Sequence, residues 1–234
     1  MRDGVTLPRS SVGPPRALVW CLRFTQMVPV VVAIGLAWLR LNPYEFKVGR
    51  IQPQEIEEKS RRERPVLLRQ NWKTSVKLVR LDGRICVEKK YLGGLNERAK
   101  SFVEVGHLWS LRRTGVTPKI LGFDPFCLSI YLEYIEGSTL KEFIQRSAKR
   151  SEGVELEEVR ARAVAQFSKL HRQGLFVNDV TARNILIEEN GSVRVIDLAD
   201  SVSVRFLPDV LRQRCFVRDL ARLRHHFQAG TILK

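Results

Sequence analysis

Residues Leu170 to Ser201 read LHRQGLFVNDVTARNILIEENGSVRVIDLADS, and this stretch decides the fold. Two short runs rich in β-forming residues, Asn184–Glu188 and Ser192–Ile196, flank Asn190-Gly191, a dipeptide that signals a tight hairpin. The polar cluster Asn178-Asp179 with Asn184 stands at the start of the hairpin, and Asp197 stands just after it. A hairpin returns its two ends to one place, so Asp179, Asn184 and Asp197 are expected to converge. Two carboxylates and an amide at one point supply hard oxygen ligands for Mg²⁺ and an acceptor for a substrate hydroxyl proton. Taken singly, each of the three also fits plain turn or cap chemistry, because Asn and Asp favour loops.

Upstream, Ser75 to Tyr91 reads SVKLVRLDGRICVEKKY and alternates around Asp82-Gly83, a second hairpin signal. Side chains two apart share one face of a strand. Ile85, Val87 and Lys89 therefore point one way, with Cys86, Glu88 and Lys90 opposite. An ammonium ending an apolar face is costly unless paired, which marks Lys89, with Lys90 as its rival. A helix is expected from about Asn96 to Arg113, with Phe102, Val105, Leu108 and Leu111 as its apolar positions and Gly115 and Pro118 as its stop. Glu104 lies one residue off that stripe and is the expected partner of Lys89, with Glu97 as the alternative. Phe126 to Ile135 reads as a buried strand broken by Glu136-Gly137-Ser138. Ser138 is expected to cap a helix to about Ala148, Glu155–Arg172 to form another, and a basic helix to cover about Asp209–Phe227. His225 and His226 are adjacent and read as surface residues.

These motifs resemble the protein-kinase-like superfamily. The catalytic-loop pattern D-x-x-x-x-N is matched by Asp179-Val-Thr-Ala-Arg-Asn184, and the metal-binding aspartate of Asp-Phe-Gly by Asp197-Leu198-Ala199. In wording the chain looks closest to the small RIO-type kinases and the lipopolysaccharide-core sugar kinases (Kdo and heptose kinases), through Leu170-His171, Gly174 and Asp179. Glu104, Leu108, Leu111, Gly115, Val116 and Pro118 match their helix-and-turn pattern. The resemblance implies that Asp179 accepts the hydroxyl proton, that Asn184 and Asp197 hold Mg²⁺, and that Lys89, positioned by Glu104, binds the ATP phosphates. It further implies that Val87 floors the adenine pocket, and that backbone groups of Glu133 to Ile135 bind the adenine edge. His171 matches the family's Leu-His pair, but as a lone histidine it reads as structural.

The chain departs from that pattern. No GxGxxG lies between Trp72 and Lys89, Val177 stands at the catalytic-loop histidine, and Ala199 replaces the glycine after Asp197. No Ala-Pro-Glu motif follows. None of these removes the base or a metal ligand; together they put the rate in question.

With 40 Lys and Arg against 25 Asp and Glu, the net charge of +15 favours anionic partners. The basic residues are spread out rather than interleaved with aromatics, so nucleic acid is not singled out. The four cysteines show no CxxC spacing, which argues against a zinc site or a disulfide framework. Leu18 to Leu41 is strongly apolar. Its uncharged part, Phe24 to Leu39, spans roughly 24 Å as a helix against a hydrocarbon core of about 30 Å, and reaches across if Arg23 and Arg40 extend to the headgroups. A membrane anchor is the leading reading; a signal peptide, a mis-assigned start or a buried core helix competes with it. Basic residues are denser after the segment, which places the C-terminal part on the cytoplasmic side.

The expected architecture is an α+β, two-lobed protein-kinase-like fold with a truncated C-lobe. Residues 1–41 would form the tail and membrane segment, 42–64 a polar linker, 65–136 the N-lobe and 137–234 the C-lobe. The expected activity is a kinase reaction moving the γ-phosphoryl of ATP to a hydroxyl of a lipid-linked sugar or a protein. A catalytically weak or inactive pseudokinase scaffold is the alternative, and a basic adaptor without catalysis is the third class.

Overall fold

The computed structural model describes residues 47–55, 67–150 and 153–232. The apolar segment Leu18–Leu41 lies outside the described residues. Among the described residues no helix is long and apolar enough to cross a membrane.

The described chain is mixed α and β. It opens with β1 (Lys47–Val48), β2 (Gln54–Glu55), β3 (Leu67–Gln70), β4 (Thr74–Leu81) and β5 (Arg84–Tyr91). Helix α1 (Leu95–Leu111) precedes β6 (Ile120–Asp124) and β7 (Ser129–Glu133). Then come β8 (Gly137–Thr139), α2 (Leu140–Arg150), α3 (Gly153–Arg172) and β9 (Leu175–Phe176). The last elements are β10 (Ile185–Glu188), β11 (Val193–Val195), β12 (Val202–Ser203) and α4 (Asp209–Ile232).

The first seven strands form one sheet in the order β1-β6-β7-β5-β4-β2, with β3 beside β4. Its pairings are antiparallel except β1 with β6. The polar stretch 42–64 thus contributes two edge strands over its described part. Asp82 and Gly83 both take positive φ, 50° and 77°, the conformation a two-residue hairpin turn requires for its twist to match the strands. Smaller sheets follow: β11-β10-β8, and β12 with β9.

Three local readings are corrected by side-chain chemistry. The cap of α2 is Thr139, not Ser138: its hydroxyl accepts the Glu142 N–H at 3.2 Å while Glu142 Oε2 accepts the Thr139 N–H at 2.9 Å, a reciprocal capping box. The apolar run Phe126–Ile135 becomes strand only at Ser129. Asp124 Oδ1 accepts the N–H groups of Phe126 and Cys127 at 2.9 and 3.0 Å, which folds those residues into a turn and leaves Phe126 64% exposed. His226 is not a bare surface residue, because its Nε2 donates to the Val180 carbonyl at 2.9 Å.

One large core joins the two halves of the chain. Val105, Leu108 and Leu111 of α1 share it with Phe123 and Ile130 of the sheet, and with Phe167, Leu170, Ile185, Leu198 and Leu223. Each such side chain contributes about 2 kcal/mol by leaving water. The opposite face of the sheet is covered too, where Val79, Leu81, Cys86 and Tyr131 pack with Ile51 and Leu121.

Candidate functional site

Strand β5 presents Lys89 inward two residues before Tyr91. Helix α1 brings Glu104 beneath it, and Asp197 comes from the turn after β11. Lys89 Nζ lies 2.9 and 2.8 Å from the two oxygens of Glu104 and 2.7 Å from Asp197 Oδ1. Burial alone would depress the ammonium; Glu104 and Asp197 outweigh it and hold Lys89 above its ordinary value. Glu97, the rival partner, bonds to its neighbour Asn96 instead. Lys90 sits on the other face of the strand.

Glu104 is 1% exposed, and a carboxylate there must have its oxygens satisfied. Besides Lys89, its Oε2 accepts from the Tyr91 hydroxyl and its Oε1 from the Leu198 N–H at 3.0 Å. Burial, then the charges of Glu104 and Asp197, push the Tyr91 phenol well above its ordinary value, so it remains a donor. Asp197 itself has φ 63°, a conformation that non-glycine residues adopt at a cost of order 1–3 kcal/mol and keep only where the surroundings impose it. Here the neighbours on both sides are tied down: the Ile196 N–H donates to the Asn184 carbonyl at 2.9 Å, and the Leu198 N–H is held by Glu104.

Asn184 Nδ2 donates to Asp179 Oδ2 at 3.1 Å and to the Asp179 carbonyl at 3.3 Å. The amide oxygen of Asn184 is then the group left to act as a metal ligand. Partial burial first, then the charges of Asp197 and Asp200, raise the Asp179 carboxyl above its usual range, against the Asn184 hydrogen bond and Arg222. Asp179 and Asn184 thus touch each other, Lys89 touches both Glu104 and Asp197, and the Ile196-to-Asn184 hydrogen bond joins the two groups.

Val87 lies on the Lys89 side of β5, opposite Leu132 of β7 in the sheet register. Glu133 ends β7; its N–H donates to the Lys119 carbonyl at 2.9 Å and its carboxylate accepts the Lys119 N–H at 3.1 Å. Ile135 follows in the connection to β8.

The donor set suits Mg²⁺, which takes one or two protein oxygens and completes its octahedron with phosphate and water. Among the described residues no cluster of three or more His, Cys, Asp or Glu could hold a metal by itself. Asn184 and Asp197 would share it with a triphosphate.

Three contributors escaped the sequence reading. Asp219 on α4 is fully buried and accepts the Val177 N–H at 2.9 Å, the Asn178 N–H at 3.1 Å and His171 Nε2 at 3.1 Å. It therefore fixes the backbone just before Asp179. The signal was present: Cys215, Asp219, Leu223 and Phe227 recur every fourth residue and all are buried, so a lone carboxylate interrupts an apolar stripe. His171, stacked on Phe216 at 4.2 Å, is Asp219's partner and has the structural place expected of it. Asp200, ion-paired with Lys100 at 3.0 Å, and Tyr91 are the other two. Tyr91 was legible from the period-two register beyond Lys89.

No family model matches the chain. Parts of it are similar to proteins named as protein kinases. It is 24% identical over 113 residues to a mitogen-activated protein kinase kinase kinase of Pyricularia oryzae, covering 48% of this chain and 7% of that protein. It is 32% identical over 83 residues to a serine/threonine-protein kinase of Corynebacterium efficiens, covering 36% and 16%. A third, a mitogen-activated protein kinase kinase kinase of Aspergillus fumigatus, is 32% identical over 76 residues, or 32% and 5%. The chain therefore spans a small part of the length of these relatives. The likeness is to the protein-kinase-like superfamily at the general level. The narrower wording of RIO-type and sugar kinases is not carried by these names.

Proposed function

We propose that this chain transfers the γ-phosphoryl group of ATP to a hydroxyl, with Asp179 as the proton acceptor and Lys89 on the ATP phosphates. The observation that carries the reading is Lys89, buried between Glu104 and Asp197. Two carboxylates converge on this one ammonium; with phosphate beside Lys89, Asp197 would be left to hold a metal ion with Asn184. Asn184 and Asp197 would hold Mg²⁺, which would supply charge neutralisation on the phosphates. The chain's own part is positioning: Glu104 aims Lys89, Asn184 orients Asp179, and Asp219 fixes the loop that carries both. Val87 floors the adenine, and the Glu133 carbonyl and Ile135 backbone bind its edge.

The segment Leu18–Leu41 tethers the domain to a membrane, with residues 42–234 on the cytoplasmic side. The acceptor hydroxyl is then that of a lipid-linked sugar or of a protein. In a transfer assay on the full chain, Asp179→Ala abolishes phosphoryl transfer while Mg-ATP binding survives. Transfer unchanged in that variant removes the role assigned to Asp179.

A second reading, a pseudokinase scaffold, has its own observation. Between β3 and β4, where kinases cover the phosphates with a glycine-rich loop, Asn71 Oδ1 accepts the Lys73 and Thr74 N–H groups at 2.8 and 2.7 Å. This tight turn has few amides to offer a triphosphate. Nucleotide binding without turnover favours this reading.

A further inference from the structure

Beside Asp179 lies a cavity of about 700 Å³ that the transfer chemistry does not account for. This open groove is lined by Asp179 and Asp200 and by Arg218, Arg222, His225 and His226 of α4. Spacings of four and three residues align Arg218, Arg222 and His225 along one helix face, with His226 at its edge. Like charges at i and i+4 cost the helix stability, and Arg222 registers that cost. Burial first, then Arg218, lowers it, against Asp219 and Asp179. Asp179 offsets part of the arginine charge, and the other acids nearby are engaged elsewhere. Asp200 is paired with Lys100 at 3.0 Å, and Asp219 is turned inward onto the Val177 and Asn178 amides. Two neighbours are committed in part, since Arg222 also donates to the Asn178 carbonyl and His226 to that of Val180.

We propose that this cavity seats the acceptor, and that the acceptor carries a phosphate-type anion gripped by Arg218 and Arg222. This deepens the transferase reading and rests on Asp179 as the proton acceptor. Guanidinium groups suit the task because their planar fork matches the oxygens of phosphate. With the anion on α4, an adjacent hydroxyl reaches Asp179 in the same groove. In the transfer that follows, the acceptor oxygen forms a new bond to the γ-phosphorus as the bond to the β–γ bridging oxygen breaks. The hydroxyl proton passes to the Asp179 carboxylate, and ADP leaves. The anion belongs either to a soluble sugar phosphate or to a lipid headgroup, and the chemistry of the cavity is the same for both.

The test uses the full chain at low ionic strength, with inorganic phosphate as the probe and thermal midpoint as the readout. Phosphate stabilises the wild type. Arg218→Gln weakens the apparent affinity about tenfold, the loss of one charge-assisted hydrogen bond. Arg218→Lys, which keeps the charge and loses the planar fork, also weakens the response, by less than the glutamine variant, and keeps the test open should the glutamine variant fold poorly. Arg84→Gln, which removes the same charge at the exposed β4–β5 turn, leaves the response unchanged. Equal weakening by Arg84→Gln would show diffuse attraction and overturn the proposal. So would a response lost in Lys89→Met but kept in Arg218→Gln, which would place phosphate at the nucleotide site. In a second arm, vesicles of phosphatidylcholine with and without phosphatidic acid are floated with the protein. Extra capture by phosphatidic acid that Arg218→Gln removes assigns the anion to a lipid headgroup; a phosphate response without it assigns a soluble acceptor. No phosphate response and no extra capture overturn the proposal. Mg-ATP stabilisation measured in parallel keeps the two claims apart. Its absence in the wild type removes the transferase reading and with it the acceptor role, leaving at most an anion site on α4; its survival in Arg218→Gln shows that the cavity is separate from the nucleotide site.

Discussion

Leu198 donates its backbone N–H to Glu104 Oε1 at 3.0 Å, across 94 positions of sequence. Through this bond the helix that positions Lys89 also fixes the residue after Asp197, so one carboxylate sets the lysine and the metal-side turn together. Glu104→Gln keeps an oxygen for the Leu198 amide and loses the charge facing Lys89. The variant is expected to fold with a loss of about 2 kcal/mol, the order for hydrogen bonds to a charged group, and to lose most transfer activity. Urea denaturation beside a transfer assay checks both. A variant with full activity would show that Glu104 does not position Lys89.

Asp179 gives a pH signature. Its carboxyl is raised by partial burial and by Asp197 and Asp200, so transfer should fall on acidification at a pH above the ordinary aspartate value of about 3.9. For stability the sign is opposite to that of a paired acid. A group raised on folding favours the folded chain below its unfolded pKa, and that advantage is lost as pH rises through the folded value. Near neutrality the charged Asp179 is thus a liability. Asp179→Asn should be inactive yet at least as stable as the wild type at pH 7, with any gain vanishing in acid. Thermal melts across pH decide this; a variant clearly less stable at pH 7 would contradict it.

Asp219 holds the Val177 and Asn178 amides and His171 while fully buried. Asp219→Asn places an amide donor against one of these donors and removes the charge. The expected cost is about 3 kcal/mol, the order for breaking a buried charged network. Transfer should fall with it, because the backbone before Asp179 loses its anchor. Hydrogen exchange at the Val177 and Asn178 amides is the direct check, and unchanged protection would contradict the anchoring role.

Gly137 makes a backbone demand. A Cβ there would sit 2.3 Å from the Ile187 carbonyl oxygen, where β8 pairs with β10 and Gly137 stands opposite Glu188. Gly137→Ala must push the two strands apart, at an expected cost of about 1–3 kcal/mol. A chemical-denaturation midpoint equal to that of the wild type would show that the strands yield freely.

What the sequence disclosed was local. The spacing of Asp179, Asn184 and Asp197 around Asn190-Gly191, the period-two face carrying Lys89, and the three-residue rhythm of α1 near Glu104 all operate within a few residues. Each is written in alternation or turn chemistry. What stayed hidden depends on partners far along the chain. Asp219 looks like one more charge on a basic helix until its place in the Cys215–Leu223 stripe is noticed. The Ser138 and Phe126 readings failed for a different reason. A hydrophobicity pattern does not register that Thr139 and Glu142 can cap each other, or that Asp124 can fold the next residues into a turn.

The measurement that bears most directly on the central claim is a calorimetric titration of ATP into the wild type and Asp197→Ala, each with and without Mg²⁺. The wild type should bind ATP with Mg²⁺ and at least tenfold more weakly without it, and Asp197→Ala should lose the Mg²⁺-dependent gain, a difference of about 1.4 kcal/mol or more. Binding that ignores both Mg²⁺ and Asp197, or no binding at all, would contradict the account.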